Sequence, residues 1–377
     1  MASAARRADN DTPAIMRIER RDLIAGALAT LLLHRHATAA GSRHGYDAVV
    51  GQDGHATIGE ALARAPAAGV TPYRILLRAG RWREKLSIDK PFIHLIGEHR
   101  NRSVIDYDAW SGQRSPQGEP WGTRRSATLS IAAPDCALRN LTISNSFDYD
   151  RASSEPLPNA SFGPQAVALA LIAGADRTTL DQVSVDGHQD TLLSDAGRAC
   201  FQQCLIRGHV DFVFGAGTAW FDRCEILARP RATTSERMGY LSAPSTLRTT
   251  QYGLIFQRCR LIKERAVPAR SFALGRPWRP TTSFADGRYG NPEAIGQAVF
   301  LHCWMDDHIA APGWDRMSYG TRQGARAYLE PADARFAEYH SRGPGAVASA
   351  SRPVLSPGQA RAFNRDAVLG GWRPGRV

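Results

Sequence analysis

The sequence predicts an all-β protein: a single-domain, right-handed parallel β-helix with a capping helix near its N-terminus. Three observations lead there. An eight-residue apolar pattern recurs in one register, its closest copies are 20 or 21 residues apart, and long helical periodicity is scarce. The repeated segments are ALRNLTIS (137–144), TLDQVSVD (179–186), CFQQCLIR (200–207), WFDRCEIL (220–227), IFQRCRLI (255–262) and VFLHCWMD (299–306). Their second places read Leu138, Leu180, Phe201, Phe221, Phe256 and Phe300. Their fifth places read Leu141, Val183, Cys204, Cys224, Cys259 and Cys303, and their seventh Ile143, Val185, Ile206, Ile226, Leu261 and Met305. A rung this short cannot bury its apolar face alone, so rungs must stack. Stacked parallel strands lie roughly 4.8 Å apart, and the crossover rule gives the right hand.

The elements come in chain order. Residues 1–40 read as a leader and signal peptide. Arg17, Arg20 and Arg21 precede the apolar run Leu23–Leu33, and Ala37-Thr38-Ala39 forms a cleavage site. The run has 11 residues, too short for a bilayer. Arg20-Arg21-Asp22-Leu23-Ile24 is twin-arginine-like. The mature domain is expected over 41–377, exported to the periplasm or beyond the cell, with no membrane span after cleavage. TIGEALARAPAAG predicts a helix over Ile58–Ala67 that stops at Gly69 and caps one end of the stack. The segment Pro357–Asn364 is expected to cover the other end. The longer gaps from Cys224 to Cys259 and from Cys259 to Cys303 predict loops inserted on one side, which would build a groove. Residues 103–121 and 281–295 also read as loop-like insertions.

Composition sets bounds. The 377 residues are 43% apolar and 22% charged, which excludes disordered, collagen-like and coiled-coil chains. Basic residues number 47 against 36 acidic, for a net charge of +11, and only Lys85, Lys90 and Lys263 are lysines. This reads either as a solvated basic surface or as attraction to an acidic polymer. Nucleic acid is not expected, because no basic run with interleaved aromatics appears. Four of the six cysteines share one column. They are read either as disulfide-bonded neighbours, with Cys204 and Cys224 the best pair, or as thiols packed like small apolar groups. No metal site is expected, since Cys-x-x-Cys and His-Glu-x-x-His are both missing.

The repeat also places chemistry. Seven residues beyond Val183 lies Asp190, and seven beyond Cys204 lies Asp211. Stacked one strand apart, two carboxylates repel by roughly 3.5 kcal/mol at an effective dielectric of ~20. One is driven toward protonation while the other stays ionised if a cation is near, which suits one acid and one nucleophile. Arg276 in LGRPW is a candidate cation. Gln165 and Gln189 are amide donors suited to an oxyanion, or else members of a polar ladder. Trp278, Phe212 and Phe214 are candidate sugar platforms or core residues.

The chain resembles a bacterial pectinesterase (pectin methylesterase) of carbohydrate esterase family 8. The matching segments are GRWREKL (80–86), GTRRSAT (122–128), QAVAL (165–169), HQDTL (188–192), GHVDFVFG (208–215), GYLSAP (239–244), LGRPW (274–278) and HIAAPGWDRM (308–317). The resemblance implies the pectin lyase-like β-helix and hydrolysis of methylated galacturonate esters in pectin, with release of methanol. It implies Asp211 as nucleophile, Asp190 as general acid/base, Gln165 and Gln189 as oxyanion donors, and Arg276 paired with Asp211. It maps Trp278, Phe214, Thr123, Met317 and Val210 to the substrate cleft, and the spacing of Cys204 and Cys224 to a family disulfide. It implies a monomer acting on a polysaccharide with no cofactor. Trp82 and His188 depart from common family residues without removing a catalytic group.

Rival functions are weaker. A serine esterase needs a Gly-x-Ser-x-Gly elbow, which the chain lacks. A pectate lyase needs Ca²⁺-binding acidic clusters. A purely binding β-helix does not require the two aspartates, two glutamines and arginine together. A related β-helix esterase or thioesterase acting on a different acyl ester is the remaining alternative.

Overall fold

The repeated segments become strands because each carries apolar residues at its second, fifth and seventh places, and only stacking buries that inward face. A computed structural model of the chain describes residues 45–52, 54–154, 163–233 and 235–375. The leader, residues 1–40, lies outside them. Among the described residues no helix is long and apolar enough to cross a membrane.

Three parallel sheets of ten, eight and seven strands form the walls of a parallel β-helix. One rung shows the path. Thr178–Asp181 lies in the ten-stranded sheet, Ser184–Asp186 in the eight-stranded sheet and Leu192–Ser194 in the seven-stranded sheet. The chain then re-enters the ten-stranded sheet at Arg198–Gln202. The expected columns hold residue by residue. Leu138, Leu180, Phe201, Phe221, Phe256 and Phe300 are register partners from rung to rung. So are Ile143, Val185, Ile206, Ile226, Leu261 and Met305. The four phenylalanine rings stack at 4.5, 4.6 and 4.5 Å between centroids and have no solvent exposure.

The turn from the ten- to the eight-stranded sheet is a single residue in the left-handed region. Asn140, Gln182, Gln203, Arg223, Arg258, His302 and His340 occupy it, with φ between 50° and 55°. The N–H of each of the first six donates to the carbonyl of the residue just before the next turn, as Gln203 does to Asp222 (3.0 Å). This ladder offsets the backbone strain of a non-glycine residue at positive φ.

Several expectations are corrected. The cysteine column is inward and buried, but all six thiols are free. Each thiol instead donates to a carbonyl on the preceding rung: Cys204 to Leu180, Cys224 to Phe201, Cys259 to Phe221 and Cys303 to Phe256. The Cys204–Cys224 disulfide is therefore absent from the structure.

The capping helix spans Ile58–Arg64, shorter than expected. Pro66 excludes the preceding Ala65 from helical geometry, and Ala65 is extended at ψ 145°. Thr57 Oγ1 accepts from Glu60 N–H, while Lys90 Nζ donates to the carbonyls of Leu62, Ala63 and Ala65 at the helix end. Ile58 and Ala61 are fully buried in the core.

The C-terminal segment does not close the far end. Its two short helices, Pro357–Arg361 and Arg365–Val368, lie along the outside of the ten-stranded sheet. Val368 and Leu369 pack there with Cys200, Trp220, Ile255 and Val299. Within 103–121, Ser103–Tyr107 is a strand of the eight-stranded sheet, so the loop begins only at Asp108. Within 281–295, Thr281–Phe284 and Gly287–Gly290 pair as an antiparallel hairpin.

Replacing a ring inside the column removes stacking on both sides. Phe256→Ala is expected to cost about 3–5 kcal/mol in urea unfolding.

Candidate active site

The turn from the eight- to the seven-stranded sheet carries the acids. Asp190 and Asp211 both adopt left-handed backbone, at φ 61° and 53°. Aspartate tolerates this region better than most residues. Asp190 N–H donates to Val210 O (3.0 Å) and Leu192 N–H to Phe212 O (2.9 Å), which locks the two turns in register. The acids therefore stand one rung apart, as the sequence spacing predicts. Gly208 is required beneath them. A Cβ there would lie 2.3 Å from Phe212 Cβ and 2.6 Å from His188 O.

Arg276 arrives from further along the stack, just after the strand Phe272–Gly275. Its Nε donates to Asp211 Oδ1 (2.9 Å) and its Nη2 to Asp211 Oδ2 (2.7 Å). Gly275 lets that strand approach, since a Cβ would sit 2.2 Å from Ser242 Oγ. The Tyr240 ring lies under the guanidinium, 3.9 Å from its centroid to Cζ. Burial works against the charged Arg276, but the charge and hydrogen bonds of Asp211 outweigh it and raise its pKa.

Asp190 is in a different position. Both acids are buried, at 9% and 5% exposure for Asp190 and Asp211. Burial first, and then the Asp211 charge, push the Asp190 carboxyl well above the usual carboxylate range. Arg276 and a hydrogen bond from Gln189 pull the other way without reversing it. The neighbouring histidines supply no cation. Burial lowers His188 to about 4 and His209 to about 2, so both are neutral near pH 7. They pack against Tyr149, with ring centroids 5.7 and 4.2 Å away.

Gln165 and Gln189 stand beside the pair. Ala166 N–H donates to Gln189 O (3.2 Å), tying the two segments together. Ser111, fully buried, shares its hydroxyl between Gly163 O (2.5 Å) and Gln165 Oε1 (2.8 Å) and donates its N–H to Gln165 O (2.8 Å). Ser111 thus holds the Gln165 segment in place through both its backbone and its side chain.

The expected cleft residues divide. Phe214 and Trp278 meet edge to face at 5.7 Å on the outer side of the seven-stranded sheet. Thr123 sits in the short helix Gly122–Arg125, whose Arg124 pairs with Asp195 (2.6 Å) and lies 5.8 Å from the Trp278 ring. Val210 directly precedes Asp211, and its carbonyl holds the Asp190 N–H. Met317 starts a hairpin with Arg326–Leu329, and Tyr319 of that hairpin lies under Arg279, 4.5 Å away. Phe212 is no platform: it points into the core with no exposure.

Three contributors escape the sequence reading. Tyr240 belongs to the GYLSAP segment, which marks the family but gives no role to the ring. Arg124 belongs to the GTRRSAT segment, which likewise marks the family but gives the arginine no role. Ser111 lies in a loop with no repeat to place it. Among the described residues no group of three or more His, Cys, Asp or Glu could hold a metal ion.

Fold and acid pair together belong to the class of β-helical carboxylic ester hydrolases. The pectinesterase family profile matches residues 47–367. Pectinesterase A of Dickeya dadantii is 43% identical over 362 residues, covering 93% of this chain and 98% of the relative. The solved pectin methylesterase of Erwinia chrysanthemi superposes with a TM-score of 0.84 at 43% identity, covering 88% of this chain and 98% of that one. A pectin methylesterase solved in complex with a hexasaccharide also gives 0.84, at 42% identity, with 88% and 99% covered. The chain belongs to the pectinesterase family.

The raised Asp190 pKa has a stability consequence with a definite sign. The folded state holds this proton more tightly than the unfolded state, so the contribution is present at low pH and lost as pH rises through the folded pKa. Asp190→Asn removes the charge, so its stability gain over wild type should grow as pH rises above about 4, where the unfolded carboxyl ionises, in urea titrations.

Proposed function

We propose that this pectinesterase hydrolyses the methyl ester of galacturonate units in pectin with Asp211 as nucleophile and Asp190 as general acid/base. One observation carries the assignment of roles: Arg276 pairs both oxygens of Asp211, while Asp190 is buried one rung away with its pKa raised. The arginine orients Asp211, and each carboxylate oxygen keeps a lone pair for attack.

An Asp211 oxygen attacks the ester carbonyl carbon, and the carbonyl electrons move to oxygen. The side-chain amides of Gln165 and Gln189 donate to this oxyanion. Its collapse breaks the bond to the methoxy oxygen, which takes the Asp190 proton and leaves as methanol. The product is a mixed anhydride between Asp211 and the galacturonate. Asp190, now a carboxylate, takes a proton from water as that water attacks the anhydride. Galacturonic acid leaves carrying the water's other proton, which it then loses to solvent, while Asp211 is restored as carboxylate and Asp190 is again protonated. No cofactor enters these steps. Trp278, Phe214, Thr123, Val210 and Met317 are the proposed cleft contacts.

We also read the chain as an exported monomer working in the periplasm or outside the cell. The basic, apolar and small-residue sequence of 16–40 supports export, as does the size of the polymer it acts on. The rival substrate, an acyl thioester, separates cleanly: purified protein should release methanol from highly methylated pectin and leave acyl-CoA intact.

Asp211→Ala should lower methanol release by about a thousandfold or more, and Asp190→Asn by roughly a hundredfold. Wild-type kcat should fall on the alkaline side as Asp190 loses its proton. Either variant retaining the wild-type rate overturns the assigned roles. Ser111→Ala should lower kcat about tenfold with little change in KM, because the Gln165 amide loses its orientation. Ser111→Thr, which keeps the hydroxyl, should recover most of the rate.

A further inference from the structure

A second edge of the β-helix carries an unassigned cationic strip. It lies where the ten-stranded sheet turns into the eight-stranded sheet, whereas the catalytic pair lies where the eight-stranded sheet turns into the seven-stranded one. The left-handed turn column begins with the amides Asn140, Gln182 and Gln203, then becomes Arg223, Arg258, His302 and His340. Two residues further along each of these last rungs, a second column reads Glu225, Arg260, Trp304 and Arg342 in register. The residues of both columns from Arg223 to Arg342, Glu225 apart, line one open concavity of about 930 Å³.

Charge on the strip is unbalanced. Four guanidiniums (Arg223, Arg258, Arg260 and Arg342) meet two carboxylates. Asp222 pairs with Arg223 (3.1 Å) and Arg258 (2.8 Å), and Glu225 pairs with Arg260 (3.1 Å). Among the described residues no carboxylate pairs with Arg342. The arginines at 223, 258 and 260 keep more than half of their side chains exposed. Trp304, half-buried, presents a ring in the same concavity, with the Arg260 guanidinium 5.8 Å from its centroid. Flat rings beside cations are what a chain of acidic sugars requires: a face for each pyranose and a charge for each carboxylate.

We propose that this strip is a second, non-catalytic binding site for de-esterified galacturonan. The choice of ligand rests on the pectinesterase reading, because each turnover leaves one new carboxylate on the polymer. Three of the four rungs carry a guanidinium, Trp304 standing on the other, and successive rungs advance by one strand spacing, roughly 4.8 Å. That is close to the advance of one pyranose along an extended 1,4-linked chain. A polymer cut free of its methyl groups at the cleft can thus be held on another edge of the same molecule.

The test uses the full-length protein and fully de-esterified polygalacturonate, with retention measured by affinity electrophoresis. The Arg260→Gln/Arg342→Gln variant should bind polygalacturonate about fivefold more weakly. Its methanol release from a short methylated oligogalacturonate, which reaches only the cleft, should match wild type. Trp304→Ala, which removes no charge, should weaken polygalacturonate retention but not retention on single-stranded DNA. Unchanged polygalacturonate binding in both variants overturns the proposal. So does an equal loss for DNA, which would mean simple charge attraction without recognition of a uronan. Failure of wild type to turn over the short ester would instead count against the pectin reading itself.

Discussion

In-register stacking is the constraint on which everything else depends. Once each rung must place like side chains over like, sequence distance translates directly into spatial position. The phenylalanine column, the inward thiols and the left-handed turn residues are three readouts of the same rule. The acids are a fourth, and the only one with an electrostatic penalty. A fold that repeats itself so strictly can hold two buried carboxyls face to face because backbone ladders on both sides prevent them from drifting apart.

The site uses that penalty. Arg276 meets only one of the two acids in a bidentate pair, while burial and then the charge of that acid push the carboxyl of the other, Asp190, well above the usual range. Neutral histidines and the Tyr149 ring surround the turn without adding charge. The polarity of the pair is therefore set by one side chain delivered from a later rung, and by burial.

Legibility in the sequence tracked the repeat. The columns through Phe201 and Ile206, the pairing of Asp190 with Asp211 and the cap near Ile58 were all readable, because periodicity encodes them. Arg276 was readable only through its LGRPW segment. Ser111 and Tyr240 were not, since loops and late strands reach the site by tertiary packing that no spacing reports. Pro66 was in plain view and still shortened the capping helix against expectation. The cysteine column was readable too, but spacing alone does not say whether neighbouring thiols bond to each other or, as in the structure, donate to carbonyls. The end-cap assignment of Pro357–Asn364 failed because amphipathic composition does not say which apolar surface a segment will cover.

That last segment gives the molecule a property that simple solenoids lack. Tyr252 Oη donates to Ala362 O, Arg198 Nη1 donates to Leu369 O, and Trp372 reaches the surface beside Phe92 and His94. The chain's final stretch thus acts as an external tie-rod, running backward from the last rungs toward the first. In an untied array, each repeat feels only its neighbours and the ends can fray independently. Here, loosening the last coil also strips cover from coils laid down more than a hundred residues earlier, so the array melts as a unit.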